Sequence, residues 1–113
     1  MDFLHLYSHN TIIDHIPKNN EILLLGESNH GCKEFYEVRS NITKTLIKKY
    51  NYNIILFESD WLNIYDINNY IGSNNFNLFN KQYNDSQEIL NNIINFPIWM
   101  WNNSIIADLI EVL

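Results

Sequence analysis

An α/β fold, a partial parallel sheet with flanking helices, is what the sequence predicts, and three observations predict it. The run Glu21-Ile22-Leu23-Leu24-Leu25, closed by Gly26, and the run Asn53-Ile54-Ile55-Leu56-Phe57, closed by Glu58, are short and apolar without alternation. Runs of that kind suit strands buried on both faces, as in a parallel sheet. Between them, at about 100° per residue, Phe35, Val38, Ile42 and Leu46 fall on one side of a helix, and Lys33, Glu37, Lys44 and Lys48 fall on the other. Strand, amphipathic helix and strand make one βαβ unit over 21–58, with the right-handed crossover that such units adopt.

The other elements follow in order. Phe3 to Ile16 carries a weaker helical pattern, ended by Pro17 and the polar turn Lys18-Asn19-Asn20. After the second apolar run, Trp61, Ile64, Tyr65, Asn68 and Ile71 keep helical spacing up to the loop composition Gly72-Ser73-Asn74-Asn75. Asp85 or Ser86 can cap a further helix, with Glu88 at capping-box spacing from Asp85 and with Ile89, Leu90, Ile93 and Ile94 as its inner face. Phe96-Pro97 is expected to end it, and a last helix from about Asn103 carries Ile105, Ile106, Leu109 and Ile110. Two strands leave sheet faces and edges without cover, so residues 1–113 are expected to be one incomplete domain: helix 1–20, βαβ 21–61, helical segment 62–113. A piece of a larger fold, or a chain that takes a partner, is the expectation. The alternative is a complete small domain with a third strand within Phe76-Asn77-Leu78-Phe79.

Composition narrows the function. Of 113 residues, 46% are hydrophobic and 18% charged, enough apolar mass for a core and too little charge for a disordered chain. Thirteen acidic residues against seven basic ones leave a net charge of -6, which repels phosphate backbones and anionic membrane surfaces. Neither nucleic acid nor membrane is therefore an expected partner. No apolar run approaches a bilayer span, and the segment MDFLHLYSHN has no signal-peptide pattern. The lone Cys32 allows no internal disulfide and no multi-cysteine metal site, so a reducing, cytoplasmic location is expected.

Ligands of open parallel sheets bind where the strands end and the loops begin. Both runs deliver polar groups there, the first into Gly26-Glu27-Ser28-Asn29-His30-Gly31 and the second into Glu58-Ser59-Asp60-Trp61. Carboxylates and an imidazole in one cleft tune each other's proton affinity and suit general acid–base chemistry. Arg39 falls inside the apolar stripe of the central helix, where a guanidinium needs a carboxylate, and Glu27, Glu58 and Asp60 are the available ones. Ser28 lacks the second glycine of a nucleophile elbow, and the same loop matches neither phosphate-binding glycine pattern. His5, His9 and His15 have no carboxylate pattern beside them and read as surface or structural histidines.

The string Leu24-Leu25-Gly26-Glu27-Ser28-Asn29-His30-Gly31, followed by Glu34-Phe35, Arg39 and Phe57-Glu58-Ser59-Asp60-Trp61, resembles the erythromycin esterase family. Phe96-Pro97-Ile98-Trp99-Met100-Trp101-Asn102-Asn103 is similar to an aromatic segment of that family, so the resemblance runs from about Glu21 to Leu113. It implies an α/β protein that hydrolyses a small-molecule ester, the macrolactone ring of macrolide antibiotics being the best-known substrate. It also implies that His30 is the general base for water, that Glu27 and Glu58 with Arg39 shape and polarise the site, and that Asp60 is a lesser member. Members of the family are several times longer and carry a second histidine in their later part. The resemblance therefore implies a missing C-terminal half or partner chain, and little or no turnover by this chain alone.

Two other uses of the residues stand beside this one. The scaffold can serve as a non-catalytic interaction module that binds another chain through Trp99, Met100 and Trp101. No cofactor is expected, although Glu27, His30, Glu58 and Asp60 have the oxygen and nitrogen donors that a divalent metal takes.

Overall fold

The computed structural model describes residues 9–16, 19, 21–72, 82–95 and 98–113. They belong to two compact units, Met1–Ile54 and Ile55–Leu113. Neither unit contains a strand or a sheet among the described residues, which corrects the expected α/β class and the βαβ unit at 21–58.

In the first unit, α1 (His9–Asp14) packs on α2 (Lys33–Tyr50), the longest helix. The start of α2 has Glu34 in its first turn and the end has Lys48 and Lys49, each sign matched to the helix dipole. Asn51 ends it in the left-handed conformation at φ 59°, and its N–H reaches back to the Leu46 carbonyl. Asparagine tolerates that conformation better than other residues with a β-carbon. Ile13, Ile42 and Leu46 form the core, with Ile12, Ile16, Leu23, Leu25, Val38, Tyr50 and Tyr52 packed around them. The expected stripe of α2 thus holds at Val38, Ile42 and Leu46. A second buried strip, Tyr36 and Ser40, lies about 100° or more away around the same helix.

The two apolar runs show why a sheet was expected and why none forms. Leu23 and Leu25 face the helices, whereas Leu24 between them is 88% exposed and Ile22 is exposed as well. Ile54 and Leu56 are likewise exposed, Leu56 at 91%. The chain in both stretches has a two-residue alternation of inward and outward side chains, but apolar residues occupy both positions. An uninterrupted apolar run reads as buried on both faces; here only one face is covered. A strand also needs a neighbour for its backbone N–H and C=O groups, and no such ladder is present among the described residues. The alternative third strand at 76–79 and the loop at 73–75 lie outside the described residues.

The second unit is built from α3 (Trp61–Ile71), α4 (Ser86–Asn91), the single turn α5 (Ile98–Trp101) and α6 (Ser104–Ile110). Packing of α4 on α3 and α6 buries Ile67, Ile89, Leu90, Ile93, Ile106, Leu109 and Ile110. Asp85 caps α4 as expected, accepting from the Glu88 N–H at 2.8 Å. The Glu88 carboxylate returns to the Asn84 N–H at 2.8 Å, one residue earlier than in a regular capping box. Helix α4 stops at Asn91, before the expected end, so Ile93 is buried from the following loop and Ile94 turns to solvent. Asn103 caps α6 by accepting from the Ile106 N–H.

Side-chain hydrogen bonds tie these helices together. Ser86 Oγ donates to the Ala107 carbonyl at 3.0 Å, buried between α4 and α6. Glu111, just past α6, accepts from Tyr70 Oη at 2.9 Å and from the Ser86 N–H at 2.8 Å. Met100 and Trp101 are buried, with Trp101 set edge-on to Phe57 at 4.9 Å between ring centroids. Of the three residues assigned to a docking patch, only Trp99 is exposed. Among the described residues, no helix is long and apolar enough to cross a membrane.

Candidate functional site

Gly31 has φ 85°, a conformation that residues with a β-carbon rarely adopt, and it turns the chain from the Glu27–His30 loop into α2. Beyond that turn, Glu27 meets Arg39 of α2. His30 Nδ1 lies 2.6 Å from Glu27 Oε1, a short charge-assisted contact. A carboxylate can only accept, so the Nδ1 side of the imidazole carries the proton and the lone pair is assigned to Nε2. The His30 ring is 53% exposed while the Glu27 side chain is only 3% exposed, so a water-accessible imidazole is steered by a buried anion.

Arg39 faces the other oxygen of that anion. Its Nη2 stands 3.1 Å from Glu27 Oε2, with its side chain 18% exposed. The carboxylate expected beside Arg39 is therefore Glu27. The contact is an ion pair rather than a directed hydrogen bond, since neither atom meets hydrogen-bond geometry with the other. The guanidinium also lies over the ring of Tyr36, its central carbon 5.1 Å from the ring centroid, within cation–π range.

Tyr36 is the residue that sequence reasoning missed. It is 4% exposed and its hydroxyl makes no hydrogen bond of good geometry. Burial pushes the phenol above its ordinary range and the Glu27 charge adds to that, against the opposing effect of Arg39 and the nearby Gly31 N–H. The phenol therefore stays neutral. Its signal was available: an aromatic three residues before an arginine on one helix places ring and cation side by side.

Glu58 and Asp60 belong to the second unit. Asp60 is the N-cap of α3, its carboxylate accepting from the Leu62 N–H at 3.0 Å, which gives it a structural task. Glu58 is exposed, and its carbonyl accepts from Trp101 Nε1 at 2.9 Å. Of the five residues expected in the site, Glu27, His30 and Arg39 come together within the first unit. Among the described residues, no three His, Cys, Asp or Glu side chains are grouped as the ligands of a metal ion would be.

The first unit thus holds a histidine in contact with a buried carboxylate that is itself paired with an arginine. The sequence pattern of the Erythromycin esterase family matches residues 47–113, more than half of the chain, and the chain belongs to that family. The matched stretch contains Phe57–Trp61 and the aromatic segment 96–103 and begins after the Glu27–Arg39 cluster. No solved structure matches the chain.

Proposed function

We propose that this chain supplies the general base of an ester-hydrolysing site, with His30 activating water and Glu27 setting the imidazole's orientation. The observation that carries the reading is the 2.6 Å contact between His30 Nδ1 and Glu27 Oε1, which assigns the basic lone pair to Nε2. In the reaction Nε2 takes a proton from water as the water oxygen attacks the ester carbonyl, and the resulting imidazolium is stabilised by the Glu27 carboxylate. The same proton then passes to the departing alkoxide as the C–O bond breaks, leaving an acid and an alcohol. A lactone is opened by one such cycle. The ion pair at 3.1 Å supports a role for Arg39 in holding Glu27, in place of direct contact with the substrate carbonyl.

Membership in the erythromycin esterase family favours a macrolactone as substrate and a place in the response to macrolide antibiotics. Glu58 is carried as a further acid of the site through the resemblance alone. The test is ring opening of a macrolactone and of a simple lactone, with protein in excess so that a slow single turnover is scored by the mass of one added water. Wild-type protein is expected to open the ring faster than His30→Ala, with Glu27→Gln in between. Equal rates for wild type and His30→Ala would remove His30 from the chemistry.

A further inference from the structure

We propose that Cys32 is an oxidation site, its thiol taken by hydrogen peroxide to a sulfenic acid whose oxygen caps α2. The proposal is independent of the hydrolase reading. Cys32 occupies the N-cap position of α2 in an extended conformation, yet its side chain makes no bond to the N–H groups of the first turn. Cys32 is partly exposed, and its sulfur accepts from Asn29 Nδ2 at 3.8 Å. Tyr36, one turn further on, supplies the second observation. It is 4% exposed and its hydroxyl makes no hydrogen bond of good geometry. Side chains of a helix lean toward its N-terminus over the residue four positions back, which for Tyr36 is Cys32. The Gly31 N–H and Cys32 are accordingly among the groups that act on its phenol.

Donors thus converge on a poor acceptor. The Asn29 amide, the Tyr36 phenol and the first-turn N–H groups all offer protons, and a thiol sulfur accepts weakly. An oxygen on that sulfur accepts well. It stands two bonds from Cβ, as do the side-chain oxygens of Asp and Asn, which are among the best N-cap groups. Asp60 reaches the Leu62 N–H of α3 in that way at 3.0 Å, and the corresponding donor in α2 is the Glu34 N–H. In the step itself the Cys32 thiolate attacks one oxygen of the peroxide. The S–O bond forms, the O–O bond breaks, and the departing hydroxide takes up the thiol proton as water. Sulfur gives up two electrons and the peroxide receives them. Cys32 is the sole cysteine in the sequence, so its sulfenic acid has no thiol of the same chain to condense with and persists until an external thiol reduces it. A second oxygen would make a sulfinate anion in the turn that already holds the Glu34 carboxylate, so oxidation stops at one.

The full chain is treated with hydrogen peroxide, exchange of the Glu34 amide is followed by nuclear magnetic resonance, and the sulfenic acid is then trapped with dimedone and located by mass. One added oxygen at Cys32 is expected, with Glu34 amide exchange slowed about fivefold, the size of a helix cap. Cys32→Asp is expected to slow the same amide without peroxide, and Cys32→Ala is expected to show no response to peroxide. Tyr36→Phe removes the phenol donor and keeps the ring. In that variant the sulfenic acid, timed by delaying the dimedone, is expected to last no more than about half as long as in wild type, a modest loss for one hydrogen bond. Absence of a dimedone adduct at Cys32, a gain of two oxygens without one, or an unchanged Glu34 amide in the oxidised protein overturns the proposal. A lifetime in Tyr36→Phe equal to that of wild type overturns it as well. Where Tyr36→Phe loses the helix signal of the protein, the wild-type Glu34 amide decides the matter.

Discussion

Replacing Arg39 with methionine removes the cation and keeps most of the side-chain volume. At 3.1 Å and an effective dielectric constant of about 20, the gross attraction between Arg39 and Glu27 is about 5 kcal/mol. Desolvation of a carboxylate that is only 3% exposed offsets part of that gain in the native protein. The variant still carries the desolvated carboxylate, now with His30 as its remaining close partner, so a loss of about 3 kcal/mol is expected, the low end for breaking a buried pair. Glu27→Gln in the Arg39→Met background removes the stranded charge and is expected to recover about 1 kcal/mol or more, a coupling typical of directly contacting groups. Hydrogen exchange of the α2 amides is the appropriate assay, because α2 belongs to the first unit and two compact units need not unfold as one. An Arg39→Met loss below about 0.5 kcal/mol, the range of an ordinary surface substitution, would refute the reasoning. So would strict additivity in the double variant.

Three other predictions concern the second unit. Asp85→Ala removes the carboxylate that accepts from the Glu88 N–H at 2.8 Å and is expected to cost about 1 kcal/mol in urea unfolding, with no loss for Asp85→Ser. The Ser86 N–H, foremost, and Tyr70 hold the Glu111 carboxyl below its ordinary value, so the folded state binds this proton less readily than the unfolded chain. Its stabilisation is present above the unfolded carboxyl range and lost as pH falls through the folded value; Glu111→Gln is expected to flatten that acid limb, and an unchanged limb would contradict the assignment. Burial, with Asp66 accepting from its hydroxyl at 2.9 Å, pushes Tyr83 up to about 12. An ultraviolet titration of the folded protein is expected to show a late-ionising tyrosine that Asp66→Asn moves down, while the associated stability is lost as pH rises above 10.0 toward that value.

Much of the helical architecture was legible because it is local. The period of α2, the Asp85 cap and the Asn103 start of α6 each depend on residues within a few positions of one another. The lack of a sheet among the described residues was not legible, because Leu23 and Leu24 are chemically alike and only their surroundings distinguish the packed one from the exposed one. A strand is a relation between two segments, and an apolar run specifies only one of them. In the site, the demand of Arg39 for a carboxylate was legible and Glu27 meets it. Asp60 was read as a lesser site acid, and its position before α3 also makes it a cap, a second local use of the same side chain. Tyr36 was passed over because an aromatic beside Phe35 reads as ordinary core, and its position over Arg39 emerges only with the helix built.

The solvent isotope effect on the His30-dependent rate of lactone opening reaches the central claim most directly. If His30 Nε2 draws a proton from water in the rate-limiting step, the part of the rate that vanishes in His30→Ala is clearly slower in deuterium oxide than in water. Equal rates in the two solvents, accompanied by an acyl group trapped on His30, would show the imidazole attacking the ester itself and would contradict the account.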